Sequence, residues 1–170
     1  MELRTFESLK ILVIEDHTFT RRLLRNILVG LGVSDVTDVA EAEEALAWLA
    51  VSQTDVVVCD IVMQPVDGLE FLRRLRSGQP LGPGRPRIVN AAVPVVMLTA
   101  HANLEMVEAA RAAGASGFIA KPVAPGVLRE RIMAACRAVD NASTSRGCTA
   151  AGESPYAASG PEQAAPGRRP

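Results

Sequence analysis

A doubly wound, three-layer α/β domain with a five-stranded parallel sheet is the fold that this 170-residue sequence predicts, and three observations predict it. Short apolar runs such as Ile11-Leu12-Val13-Ile14, Val56-Val57-Val58-Cys59 and Val95-Val96-Met97-Leu98 are too short for surface helices and read as strands covered on both faces. They alternate with segments of helical periodicity; parallel neighbours require crossover helices, and right-handed crossovers cover both faces of a sheet. Four of the runs end in polar groups: Glu15-Asp16, Asp60, Thr99 and Lys121. In a parallel sheet those ends share one edge, so the polar groups meet in one crevice.

The first strand lies near Lys10 to Ile14. After it, Leu23, Leu24, Ile27, Leu28 and Leu31 mark one face of a helix, with Arg21, Arg22 and Arg25 on the other and Gly30 and Gly32 as the stop signal. Val36 to Val39 is a second strand, and Glu41 to Val51 a second helix with Ala45, Leu46 and Leu49 facing inward. Asp55 to Asp60 is the third strand. The turn Gln64-Pro65-Val66-Asp67-Gly68 then leads into a helix carrying Leu69, Leu72 and Leu75, with Asp67 as its capping candidate. Ser77 to Ala92, rich in Gly and Pro, is a long loop for a compact α/β unit. Pro94 opens the fourth strand, where a missing N–H costs least, and Val95 to Leu98 continue it. Asn103 to Ala113 form a helix ended by Gly114, Gly117 to Ala120 the fifth strand, and Val127 to Val139 the last helix.

From Asn141 onward the composition changes: 19 of the last 30 residues are Ala, Gly, Ser or Pro. Such a segment buries too little surface to offset its ordering entropy, so 141–170 is read as a disordered tail. Residues 1–8 are an N-terminal extension and 9–140 the folded domain.

Composition narrows the function classes. With 48% hydrophobic residues the chain can bury a sizeable core, and a formal net charge of -1 without a long block of one sign gives no bulk-charge surface for nucleic acid. Cys59, Cys136 and Cys148 form no CxxC pair and have no His-rich neighbourhood, which fits a reducing cytoplasm rather than a zinc or disulfide framework. Met1-Glu2-Leu3-Arg4-Thr5 begins no secretory apolar region, and no segment approaches the ~18 apolar residues of a membrane span. A soluble, cytoplasmic protein is expected, with no nucleic acid and no membrane among its partners.

Three carboxylates, a hydroxyl and an ammonium gathered at one sheet edge suit a divalent metal and a phosphoryl group. Each residue alone has a plainer reading. Glu15-Asp16 suits a helix N-terminus, Asp60 a strand end, Thr99 a helix cap, and Lys121 a solvated face. Phe118 alone is most simply a core aromatic. His17 and His101 have no spaced ligand partner, and Arg73, Arg74 and Arg76 read as a solvated helix face.

Taken in order, however, these motifs resemble the receiver domain of bacterial two-component response regulators, especially its stand-alone chemotaxis-type members. The resemblance runs from about Leu9 to Val139 and is carried by Glu15-Asp16, by Asp60-Ile61-Val62-Met63-Gln64-Pro65-Val66-Asp67-Gly68, by Thr99-Ala100 and by Lys121-Pro122. It implies a flavodoxin-like sheet of strand order 2-1-3-4-5. It also implies that Asp60 is the phosphoacceptor, attacking the phosphohistidine of a histidine kinase or phosphotransfer protein. Mg²⁺ would be held by Asp16, Asp60, the backbone carbonyl of Val62 and, through a water, Glu15. Lys121 would pair with a phosphoryl oxygen. Thr99 would move its hydroxyl to the phosphoryl group, with Phe118 as the aromatic switch behind it.

The readout face would be the fourth helix, fifth strand and fifth helix, Asn103 to Ala113 and Phe118 to Val139, which would bind a downstream target or support phosphorylation-dependent dimerisation of a monomer. Gln64 departs from the proline common at its position, so the turn after Asp60 is expected to take its own path. Val62 and His101, each two residues beyond a key residue, would flank the approach of hydrolytic water and set the lifetime of the phosphorylated state. A metal-dependent phosphatase or phosphotransferase is the competing class; it would normally place a second Asp two residues after the nucleophile, where this chain has Val62. An inert scaffold is disfavoured because the acceptor, metal and Lys positions are all present. A mononucleotide binder would need a Gly-rich first turn, which Asp16-His17-Thr18-Phe19 does not supply. The chain is therefore expected to be a signalling module and not an enzyme acting on external substrates.

Overall fold

The structure is a computed structural model that describes residues 5–79, 86–100 and 103–146. A 3-10 turn at Phe6–Ser8 precedes β1 (Lys10–Ile14), α1 (Thr18–Gly30), β2 (Asp35–Val39), α2 (Ala42–Val51), β3 (Val56–Asp60), α3 (Gly68–Ser77), β4 (Val95–Thr99), α4 (Leu104–Ala112), β5 (Gly117–Ala120) and α5 (Pro125–Arg146). The strands form one sheet of order β2-β1-β3-β4-β5 with every neighbouring pair parallel. The doubly wound reading and its strand order both hold.

Alternation along each strand explains why the runs are apolar throughout. Leu12, Ile14, Val57, Cys59, Val95 and Met97 join Leu46 of α2 and Leu72 of α3 in one core layer. Ile11, Val13, Val56, Val58, Val96 and Leu98 join Leu24 and Leu28 of α1 and Leu128 and Ile132 of α5 in the other. Successive strand residues point to opposite faces, and both faces are covered. At roughly 1.5–3 kcal/mol for each fully buried Val, Leu or Ile, these layers dominate the stability of the domain.

Several details differ from the sequence reading. Leu23 is 47% exposed; the inward stripe of α1 centres on Leu24 and Leu28, with Ile27 and Leu31 packed at its margin. On α3 the buried positions are Gly68, Phe71, Leu72 and Leu75, so Phe71 carries the packing and Leu69 only flanks it. Within the N-terminal extension Phe6 is buried, and the Arg129 guanidinium of α5 lies 5.2 Å from its ring centroid. At the far end of the 77–92 loop, Ile88 is buried in the core layer that holds Val93, while 80–85 lie outside the described residues. Helix α5 continues past Val139 to Arg146, into the stretch read as tail; 147–170 lie outside the described residues.

Candidate functional site

The carboxyl ends of β1, β3, β4 and β5 bring the predicted polar groups together. Glu15 leaves β1 with its N–H bonded to Val39 O at 3.2 Å. Asp60 is the last residue of β3, Thr99 the last of β4, and Lys121 follows β5 with its N–H bonded to Thr99 O at 2.8 Å. Glu15, Asp60 and Thr99 are 1%, 5% and 1% exposed. Placing polar residues in an apolar sheet is costly unless they are partnered; Glu15 and Asp60 share Lys121, and Thr99 has Met106. Lys121 Nζ lies 2.8 Å from Glu15 Oε2 and 3.1 Å from Asp60 Oδ1. Asp16 accepts the Gln64 N–H at 3.1 Å, which joins the loop after β1 to the turn after β3.

The charges do not balance. Glu15, Asp16 and Asp60 offer one carboxylate oxygen each, all within 4.8 Å of one another, against the single ammonium of Lys121. Burial pushes the Asp60 carboxyl above its ordinary pKa, the neighbouring Glu15 charge pushes it further, and Lys121 opposes both. For Lys121, burial works to lower the pKa, but the hydrogen bond to Glu15 and the charge of Asp60 outweigh it and the net shift is upward. Hard oxygen donors, a surplus of negative charge and a half-buried position are the chemistry of a site for a small divalent cation, and the set fits Mg²⁺, which favours one or two carboxylates with water and phosphate.

The remaining predicted residues fall as follows. Thr99 donates its hydroxyl to Met106 Sδ at 3.4 Å, across to the first turn of α4. Phe118 is partly buried against the core layer that contains Met97, its cross-strand partner. Val62 is 62% exposed beside the site, and the Val62 carbonyl belongs to the same turn. His101 lies outside the described residues. His17 is exposed, with its ring bonded to Thr20; only its backbone N–H reaches the cluster, donating to Glu15 Oε1 at 3.3 Å. The turn after Asp60 buries Met63 and holds a cis Gln64–Pro65 bond; Lys121–Pro122 is cis as well.

Two residues gain roles that their types did not announce. Gly68, read as part of a helix entry, donates its N–H to Ile61 O at 2.8 Å, and a Cβ there would stand 2.3 Å from Asp60 O. The start of α3 can approach the acidic strand end only without a side chain. Arg21, assigned to an outer helix face, instead reaches back to the Glu15 carbonyl at 2.9 Å. The proximity of Asp67-Gly68 to Asp60 in sequence hinted at the first; nothing in the sequence marked the second.

A parallel sheet of this order with an acidic cluster and a lysine at its carboxyl edge defines a class, and the chain belongs to it: the response regulator receiver domain family matches residues 11–133. It is thus a response regulator of two-component phosphorelay signalling. Among characterised relatives it is similar to the chemotaxis protein CheY-3 of Vibrio cholerae, 30% identical over 132 residues that span 78% of this chain and 95% of the relative. It is also similar to CheY of Pseudomonas aeruginosa, 31% identical over 124 residues, 73% of this chain and 93% of the relative. The solved structure of V. cholerae CheY4 superposes with a TM-score of 0.64 at 26% identity, covering 75% of this chain and 98% of that one. A CheY-like receiver protein from Methanospirillum hungatei does so with 0.66 at 27% identity, covering 79% and 99%. Among the described residues no helix is long and apolar enough to cross a membrane.

Proposed function

We propose that this chain accepts a phosphoryl group on Asp60 from the phosphohistidine of a partner kinase or phosphotransfer protein, and reports it by changing its affinity for a downstream protein. The observation that carries this reading is the convergence of Glu15, Asp16 and Asp60 within one ligand-sized space, with Lys121 against Asp60. An Asp60 oxygen attacks phosphorus, the donor P–N bond breaks with its electron pair leaving on the imidazole, and an acyl phosphate remains. Mg²⁺ held by Asp16, Asp60, the Val62 carbonyl and, through a water, Glu15 would supply neutralisation and orientation of the phosphoryl oxygens. Lys121 moves its charge from the carboxylates to the arriving phosphoryl oxygens, so it is a counter-ion in both states.

Thr99 then exchanges Met106 Sδ for a phosphoryl oxygen, and Phe118 repacks behind it. The acyl phosphate carries a charge of about -2 where the carboxylate carried -1, and the face made by α4, β5 and α5 presents the difference to a partner, or to a second copy of the chain, by population shift. Val62 and His101 set how long the phosphorylated state lasts. Val62 offers no acid or base two residues after Asp60, which favours a switch over an enzyme turning over external substrate. The test is intact mass after incubation with Mg²⁺ and a small phosphodonor. Wild type should gain one stoichiometric, base-labile adduct and Asp60→Asn none. Continuous phosphate release would favour an enzyme, and no adduct on wild type would favour a scaffold.

A further inference from the structure

Arg21, on the first turns of α1, spends its guanidinium on the backbone of the loop that carries the acidic pair. Its Nη1 donates to Glu15 O at 2.9 Å and to Asp16 O at 3.4 Å, and its Nε lies 3.4 Å from Asp38 Oδ2 on β2. The side chain is 18% exposed. On the opposite side of the loop, Glu15 N–H is bonded to Val39 O. Peptide units are planar, so fixing the carbonyls of residues 15 and 16 from one side and the amide of 15 from the other sets the direction of both side chains. Those side chains point into a cluster of like charge, where an unpinned loop would relax by swinging one carboxylate out toward water.

We infer that Arg21 is a positioning residue that holds Glu15 and Asp16 against Asp60 before any cation arrives, so that the divalent-cation site is preorganised from outside its own donor set. The inference rests on the metal reading of the site. The neighbouring Arg25 provides a matched control. It pairs with the same Asp38 at 2.7 Å and donates to Val36 O at 2.6 Å, yet has no hydrogen bond to the Glu15-Asp16 loop. Bulk positive charge near β2 is common to both arginines; the grip on the loop carbonyls belongs to Arg21.

Two measurements on the full chain test it. In calorimetric titration with MgCl₂, Arg21→Gln should weaken binding about tenfold, the low end of the loss seen when groups behind metal ligands are removed, while Arg25→Gln stays within about twofold of wild type. In metal-free protein, amide hydrogen exchange at Gln64 and His17, whose N–H groups bond to the Asp16 and Glu15 carboxylates, should quicken several-fold in Arg21→Gln and not in Arg25→Gln. Arg21→Lys, with the charge kept and the forked donor lost, should shift both readouts in the same direction by less, and serves if Arg21→Gln does not fold. Equal Mg²⁺ affinity and equal exchange in Arg21→Gln and wild type would overturn the inference, as would an equal loss in Arg25→Gln. If wild type itself takes up no Mg²⁺, the metal reading fails, and the metal-free exchange alone decides the positioning role of Arg21.

Discussion

Lys121 and Arg76 are cations held at opposite ends of one sheet, and the ends treat them differently. At the carboxyl edge Lys121 sits between the Glu15 and Asp60 carboxylates. At the amino edge Arg76, in the last turn of α3, donates to the carbonyls of Ala91 at 2.6 Å, Val93 at 2.9 Å and Gly114 at 2.9 Å. Burial lowers the pKa of Arg76, whereas the carboxylates carry Lys121 the other way against its own burial. Carbonyl dipoles satisfy a guanidinium's geometry without cancelling its charge; carboxylates cancel the charge, and here they exceed it. One end is a clasp for loops, and the other is an unbalanced electrostatic site.

The largest expected effect would break that contrast outright. Lys121→Ala leaves two buried carboxylates without a counter-ion, a class of change that costs about 3–5 kcal/mol, and the cost should shrink as pH falls and Asp60 takes up a proton. Arg76→Ala loses hydrogen bonds from a charged donor, at about 1.5–3 kcal/mol each at most, with no such pH dependence. Urea unfolding of both variants at pH 7 and pH 4.5 checks this; parallel pH profiles would refute the distinction.

A smaller effect comes from the glycine beside each site. Gly68→Ala drives a Cβ against the Asp60 carbonyl and Met97 Cε, a backbone collision that should cost roughly 1–3 kcal/mol as overpacking does and also slow phosphoryl uptake. Gly114→Ala meets the Arg76 side chain at 3.0 Å from a backbone with φ of 96°. That side chain can yield, so about 1 kcal/mol of left-handed strain is expected with phosphoryl uptake unchanged. Thermal melts and phosphorylation time courses separate the two.

The smallest effect sharpens the charge imbalance. Because the folded-state pKa of Asp60 is raised above its unfolded value, its contribution to stability is present at low pH and is lost as pH rises through the folded pKa. At neutral pH its charge is a net cost in the absence of metal. Asp60→Asn should therefore raise the melting temperature at pH 7, by about 2–4 °C for each ~1 kcal/mol relieved, and the gain should vanish below the ordinary carboxylate range near pH 4. A variant that melts lower than wild type at pH 7 without Mg²⁺ would show the cluster to be balanced after all.

Much of this was legible in the sequence, for physical reasons that also mark where legibility stops. The central strands β1, β3 and β4 declared themselves because doubly covered strands are apolar almost throughout, and Glu15, Asp16, Asp60, Thr99 and Lys121 stood out as polar groups at strand ends. The edge then placed them together without side-chain detail. Arg21 and Arg76 did not declare themselves: their partners are backbone carbonyls, which every residue carries, so a guanidinium bound to them looks in sequence like one facing water. Arg73 is exposed, as the reading of a solvated face requires, and Arg74 pairs with Glu70 and Glu43 on the surface; Arg76 alone of the three turns to the loops. Leu23 misled because a leucine one step from the inward stripe fits the same periodicity. Asn141 to Arg146 continue α5 without apolar spacing to announce it.

That continuation fixes on which side of the sheet α5 ends. At 1.5 Å per residue, the 22 residues of α5 extend about 33 Å, whereas a five-residue strand covers only about 17 Å. The helix starts beside Lys121 at the carboxyl edge, crosses the sheet and runs on beyond its amino edge. The last turn of α5 thus lies on the far side of the sheet from Asp60, so a label placed at that end of the helix can be read out without crowding the acidic crevice.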